Sequence, residues 1–290
     1  MQNSSFRIFT DSGCDIAPAR LSEWGVSLEA LTFRFDDSEK EYTNTDMSPK
    51  EFYEKMRAGG IAKTAAVNTE SFATAFEKAL AEGKDVLYLG FSSGISNTYN
   101  AARIAAQELR AKYPERKIFV IDSLTASAGE GLLLWFAVQK ANEGATIDEV
   151  AAYVETLRPS VCAWFTVDNL TYLKRGGRVS PTTALLGNAL HIKPVMHVDD
   201  NGKLIKVATA HGRKKSIAAL AEKYKETAID PKDGCVFISH GDCPEDAEFL
   251  AKLLLEQNGV TVSLITDVGP VIGAHSGPGT LALFFVGNKR

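Results

Sequence analysis

Val86-Leu87-Tyr88-Leu89-Gly90-Phe91-Ser92-Ser93-Gly94 decides the fold class. The apolar run Val86–Gly90 is too short for a helix and reads as a buried strand. Small and hydroxyl residues then turn the chain. Beyond the turn Ala101, Ile104, Ala105 and Leu109 fall on one helical face, which Pro114 ends. The same rhythm extends outward in both directions. Upstream, Phe6–Thr10 is an apolar strand ending in Asp11-Ser12-Gly13, and Ser48-Pro49-Lys50-Glu51 is a capping box with proline at the first helical position, opening a helix that ends at Gly59-Gly60. Phe72, Ala75, Phe76, Ala79 and Leu80 mark the next helix, stopped by Gly83. Downstream, Lys117–Ile121 is a strand closed by Asp122-Ser123, a helix runs to about Gly144, and Thr146-x-x-Glu149 caps another. Strands alternating with helices imply an α/β domain with a parallel sheet covered on both faces. In such sheets ligands sit beyond the carboxyl ends of the strands. Thr10-Asp11-Ser12, Ser92-Ser93 and Asp122-Ser123 are therefore expected on one rim.

The second half has a different pattern. Val161–Val167 reads as a strand, and a short helical stretch leads into Leu173-Lys174-Arg175-Gly176-Gly177-Arg178. Val195–Val198 and Leu204–Ala208 flank Asp200-Asn201-Gly202, a hairpin signal. A helix through Ile217, Leu220, Ala221 and Tyr224 follows, then strand Val236–Ser239, a helix through Leu255 and strand Val260–Ile265. Hairpin and crossover together predict an α+β domain. The boundary falls near Arg158-Pro159, giving 1–159 as the amino-terminal α/β domain and 160–290 as the carboxy-terminal α+β domain. Val268–Gly287 is long enough for a membrane span, but its glycines, prolines and His275 favour a buried loop followed by a strand.

Bulk properties narrow the class further. The 290 residues are 45% hydrophobic and 23% charged, ordinary for a globular chain, and the net charge of −4 argues against general nucleic-acid binding, which usually needs a basic face, though a local basic patch is compatible with it. The opening MQNSSFRIFTDSG lacks a basic segment followed by a long apolar core, so secretion is not expected. Cys14, Cys162, Cys235 and Cys243 form no CxxC pair and are expected to be reduced thiols. The five histidines are scattered, so no zinc site and no metal is expected.

Several residues are candidates for chemistry. Gly90-Phe91-Ser92-Ser93-Gly94 fits G-x-S-x-G between a strand and a helix, the setting of a serine-hydrolase nucleophile; Asp168, Asp267, His240 and His275 could complete such a site on acyl esters. The same helix N-terminus, surrounded by Ser92, Ser93, Ser96, Asn97 and Thr98, suits a carboxylate or phosphate, or is simply capped by Ser96. Thr64, in Lys63-Thr64-Ala65-Ala66-Val67-Asn68, has no meaning alone. His275 lies among glycines and Pro278 that would let a ligand approach closely. Lys174, Arg175 and Arg178 form a basic knuckle that either closes a helix or meets an anion or partner. Asp11 and Asp15 read as structural hydrogen-bonding residues.

Taken in order, Thr10-Asp11-Ser12-x-x-Asp15, Ser92-Ser93-Gly94-Ile95-Ser96-Asn97-Thr98-Tyr99, Leu173–Arg178, Lys193-Pro194 and Gly269-Pro270-Val271-Ile272-Gly273-x-His275-x-Gly277-Pro278-Gly279 resemble the DegV family over essentially the whole chain. That resemblance implies two α/β domains with a long-chain fatty acid such as palmitate buried between them. It implies a cytoplasmic lipid-binding carrier, not an enzyme, with no cofactor beyond the bound acid and only transient membrane contact. Its partner would be an ATP-dependent fatty acid kinase that phosphorylates the carboxylate, and the acyl phosphate would feed phospholipid synthesis. By motif, Thr64, Ser96 and His275 would bind the carboxylate, with Ser93 and Asn97 as further donors, and Arg175 or Arg178 would meet the incoming phosphate or the kinase. Thr64-Ala65-Ala66-Val67-Asn68 stands where the family usually has Thr-Ser-x-Pro-Ser, and Asn97 where it has glycine. A sugar or dihydroxyacetone-type phosphotransfer component is a further reading from fold analogy alone.

Overall fold

The computed structural model describes residues 5–180, 191–288 and 290. Phe6–Asp11 (β1), Val26–Glu29 (β2), Asp85–Gly90 (β6) and Ile118–Asp122 (β7) form a parallel sheet in the order β2-β1-β6-β7. Their side chains alternate between two cores. Ile8, Leu87, Leu89 and Ile121 face Ala128–Asn142 (α5) and Ile147–Leu157 (α6), whereas Phe9, Val86, Tyr88 and Ile118 face Thr69–Ala81 (α3) and Thr98–Lys112 (α4). The chain is therefore an α/β protein with a parallel sheet covered on both faces. Local signals place the helices, the first of them Pro18–Glu23 (α1), which opens on its proline. Thr146 and Glu149 form the full capping box of α6. At Pro49–Arg57 (α2) only the forward half forms, Ser48 Oγ accepting from the Glu51 N–H at 3.2 Å.

Thr32–Phe35 (β3), Tyr42–Thr43 (β4) and Ala62–Ala65 (β5) make a small antiparallel sheet of order β4-β3-β5. The sequence did not announce it, because strands this short show no periodicity. It carries Thr64, opposite Phe33.

The strands after Arg158–Ser160 build a separate mixed sheet of order β10-β9-β8-β13-β11-β12. They are Val161–Thr166 (β8), Ile192–Val198 (β9), Leu204–His211 (β10), Phe237–His240 (β11), Leu264–Asp267 (β12) and Leu281–Val286 (β13). β9 and β10 are the expected hairpin, with a register shift between Lys206 and Ala208 that marks a bulge. The last strand before the glycine-rich segment starts at Leu264, not Val260, which is buried in a further core that includes Ile238 and Leu254. Thr171–Arg175 (α7), Arg213–Thr227 (α8) and Pro244–Asn258 (α9) follow the sequence pattern.

The segment expected as a buried loop is in part a helix, Pro270–Ser276 (α10), with proline at its start and Gly277 at its C-cap. Its Val271 and Ala274 join the core of α3 and α4. No helix among the described residues is long and apolar enough to cross a membrane. The four cysteines are free thiols.

The halves meet at α10 and at several other places. Helix α5 packs on strands of both large sheets. The β9–β10 hairpin also seats on the turn after β6, where the Ser92 hydroxyl donates to the Gly202 carbonyl at 2.9 Å. A Cβ on Gly94 would lie 2.5 Å from the Asn201 carbonyl oxygen and 2.7 Å from that of Gly202. Gly94→Ala is expected to push the hairpin off its seat and destabilise the fold by about 1–3 kcal/mol, the range for overpacking. A lowered midpoint in urea unfolding checks this; an unchanged midpoint would mean the hairpin can yield freely.

Candidate functional site

Strand β1 has β2 on one side and β6 on the other, so the chain order reverses between β1 and β6. Open sheets take ligands outside the carboxyl ends at such a point. Here Asp11 seals the gap. Its Oδ2 accepts from the Tyr88 hydroxyl at 2.6 Å and the Phe91 N–H at 2.9 Å, and its Oδ1 accepts from the Gly13 N–H at 2.8 Å. Two other rim hydroxyls are also spent on structure. Ser12 Oγ accepts from the Leu31 N–H at 3.0 Å, and Ser123 Oγ donates to the Thr125 carbonyl at 3.2 Å.

Beyond Phe91 lies a cavity of about 230 Å³. Phe91, Leu31 and Val271 reach it from one core, and Phe165, Val198, Ala282 and Phe284 from another, so it opens where the two meet. Its wall is mostly apolar. Three polar sets interrupt it, along with Arg178, Ser276 and Thr280.

In the first set, Thr64 Oγ1 is 2.8 Å from His275 Nε2. Burial, with the Arg178 cation nearby, pushes His275 down to about 4, so the imidazole is neutral at neutral pH. A neutral ring carries one N–H. With that proton on Nε2, His275 donates to Thr64 and leaves the threonine hydroxyl free to donate into the cavity. In the second set, Ser96 Oγ lies 2.9 Å from Thr98 Oγ1 and accepts from the Thr98 N–H at 3.2 Å; the N-cap of α4 is Asn97, not Ser96, and its side chain makes no capping bond. Asn97 lines the cavity beside it, its Oδ1 accepting from Asn100 Nδ2 at 3.3 Å. The third set is Ser127 and Ser239, whose Oγ atoms are 2.9 Å apart. Ser127 also donates to Asp15 Oδ2 at 2.5 Å, and burial pushes Asp15 up to about 7. Nothing in the sequence singled out Ser127 or Ser239, since a serine beside a strand end looks like any turn residue.

A wider depression of about 1040 Å³ shares Ile95, Ser96, Asn97, Arg178 and Leu204 with the cavity and adds Ser93, Lys174, Lys203 and Lys206. Ser93 lies only in this outer depression; its N–H donates to Asp122 Oδ1 at 3.1 Å. Arg178 stands between the two spaces, its Nε donating to the Ile95 carbonyl at 3.2 Å and its Nη1 to that of Gly176 at 2.5 Å. Arg175 lines neither; it is exposed, over the Tyr172 ring at 5.7 Å.

The hydrolase candidates do not assemble. Ser92 is fully buried and donates to Gly202. His275 is held on Thr64, His240 lies 3.6 Å from Asp267, and Asp168 binds Lys193 at 2.8 Å.

The fold and this site define an α/β protein with two large sheets, an apolar cavity and a small set of neutral hydrogen-bonding groups in its wall. The sequence pattern described as "Uncharacterised protein, DegV family" matches residues 5–288, and the chain belongs to the DegV family. A DegV domain-containing protein of Clostridium perfringens is 41% identical over 98% of both chains. Among solved structures, a DegV protein of Thermus thermophilus described by its fatty acid binding superposes with a TM-score of 0.87, at 28% identity over 97% of this chain and 99% of that one. A DegV lipid-binding protein of Thermotoga maritima gives a TM-score of 0.84 at 30% identity, over 98% and 99% of the two chains.

His275 is held in place by Gly176, where a Cβ would come within 2.2 Å of Nδ1. Because its folded pKa is about 4 against an ordinary 6.5, the unfolded chain takes up a proton between those values that folded His275 refuses. Its contribution to stability is complete above pH 6.5 and falls as pH drops through that window. An NMR titration of His275 is expected to show a midpoint near 4, and Gly176→Ala to move it towards 6.5 by displacing the ring from Thr64. A midpoint near 6.5 in the unmodified protein would contradict the buried, neutral ring.

Proposed function

We propose that this protein binds a long-chain fatty acid in the cavity between its halves and presents the carboxylate to an ATP-dependent fatty acid kinase. The observation that carries this reading is the junction of an apolar cavity with the Thr64–His275 pair. A carboxylate can accept from the Thr64 hydroxyl, from Ser96 and from Asn97 without needing a buried cation. Ser93 completes the donors on the outer side. The alkyl chain is the larger source of affinity, at about 0.8 kcal/mol for each methylene buried. The relatives from Thermus thermophilus and Thermotoga maritima, named for fatty acid and lipid binding, support the same ligand class.

In this reading residues 1–159 and 160–290 are the two domains that enclose the acid, and the protein is a cytoplasmic carrier with no catalytic residue of its own. The partner transfers the phosphoryl group, and the acyl phosphate passes to phospholipid synthesis. Arg178, between the inner and outer spaces, is the cation placed to meet a phosphoryl group entering from the outer depression. Arg175, exposed on α7, is a contact for the partner.

Native mass spectrometry of the purified protein, followed by denaturing extraction, tests the ligand. One fatty acid per chain is expected. Thr64→Ala and Ser96→Ala are each expected to weaken it about tenfold, the loss of one hydrogen bond to a charged group. A protein that is empty and takes up neither palmitate nor oleate would refute the reading.

A further inference from the structure

Thr64 and His275 sit on separate elements, and one side chain outside the cavity holds both of those elements. Helix α10 has no cap of its own. Its N-cap is Gly269, which has no side chain to close the first turn, and Pro270 after it has no N–H. The next N–H, that of Val271, is met from elsewhere in the chain and donates to Asn44 Oδ1 at 3.1 Å. Asn44 Nδ2 donates in turn to the Ser12 carbonyl at 3.0 Å, in the turn after β1. A carboxamide supplies the acceptor and the donor that these two backbone groups require. Gly269 lets it approach, since a Cβ there would lie 2.6 Å from Asn44 Nδ2. Asn44 is equally tied to Thr64. It follows β4 directly, and Phe33 of β3 pairs with Tyr42 of β4 on one side and with Thr64 of β5 on the other. The Thr43 N–H donates to Asp46 Oδ2 at 2.6 Å, which closes the turn that carries Asn44. On the helix side, Val271 and His275 are one turn apart, so a bond at Val271 sets the position of the ring.

We propose that Asn44 is a positioning residue: by joining the end of β4 to the first turn of α10 it sets Thr64 and His275 at hydrogen-bonding distance, and so controls the grip on a carboxylate without touching it. Its effect on the ligand rests on the fatty acid reading above; its effect on His275 does not. Asn44 is half-buried and stands outside the cavity wall, so it acts through the other two residues. Without it α10 still packs on β3 and β5. Apolar packing is non-directional, however, and fixes the ring less closely than a hydrogen bond does.

The test compares Asn44→Ala with the unmodified protein, both full-length and delipidated, by two measurements. In an NMR titration the His275 midpoint is expected to rise from near 4 towards 6.5 as the ring leaves Thr64. In displacement of a fluorescent fatty acid, palmitate is expected to bind about fivefold more weakly, the fold-change of one lost helix cap. Hexadecan-1-ol, with the same tail and no carboxylate, is expected to bind nearly as before. A midpoint that stays near 4 would overturn the proposal whatever the affinities do. So would a moved midpoint with palmitate undiminished, or with acid and alcohol weakened alike, which is what a loosened fold gives. If the unmodified protein takes up no acid at all, the fatty acid reading fails, and the midpoint alone decides on Asn44. Should Asn44→Ala not fold, Asn44→Gln takes its place, with its amide set one methylene too far out, and the same outcomes apply.

Discussion

Asp15 joins parts of the chain that the sequence holds far apart. Its Oδ2 accepts from Ser127 at the start of α5, its Oδ1 from the Gly269 N–H ahead of α10 at 3.0 Å, and its backbone carbonyl from the Thr266 hydroxyl at 2.9 Å. Those bonds tie the turn after β1 to both large sheets. They also hold Asp15 and Ser127 at φ 52° and 54°, in the left-handed region that residues with a side chain avoid. Backbone strain of this kind persists only where the surroundings fix it. If that knot loosens, Ser127 leaves the cavity wall and α10, with His275, loses its anchor.

The cavity follows from that fixed separation. Two apolar cores face each other across it, and polar groups enter only where a strand end or a helix start delivers them. The groups on its wall are hydroxyls, an amide and a neutral ring; Arg178 is at its edge and committed to two carbonyls. Ionisable carboxyls and lysines are kept behind the wall or outside it. Asp11 and Glu130 are buried carboxyls raised by desolvation, and Thr10 donates to Glu130 at 2.8 Å. Lys174, Lys203 and Lys206 stay in the outer depression.

Much of this was legible in the sequence because the parallel sheet declares itself by rhythm. Each of its strands except β2 is an apolar run closed by Asp, Gly or Ser, and each helix has a marked start or stop. What escaped has physical causes. The strands β3 to β5 are too short to alternate visibly, so Thr64 carried no local signal although β5 fixes it. Helix α10 was concealed by its glycines and prolines, which normally break helices; it is short, begins on a proline and ends on a glycine, and packing supplies what propensity lacks. Thr64 and His275 are 211 positions apart, and no local pattern could pair them; the family resemblance named both, and the fold places them in contact. Ser127 and Ser239 had neither pattern nor motif to mark them.

The bulge in the β9–β10 hairpin matters beyond the cavity mouth. Strand β10 is the outer edge of the six-stranded sheet, and Ile205 and Val207 on it are 40% and 47% exposed. A flat apolar edge would be a template on which another copy could add its own strand, and then another. The register shift at Lys206–Ala208 interrupts the ladder and twists the edge, while Lys206 sets a charge between the two apolar side chains. The bulge thus makes the edge that carries these exposed apolar residues a poor template for another strand.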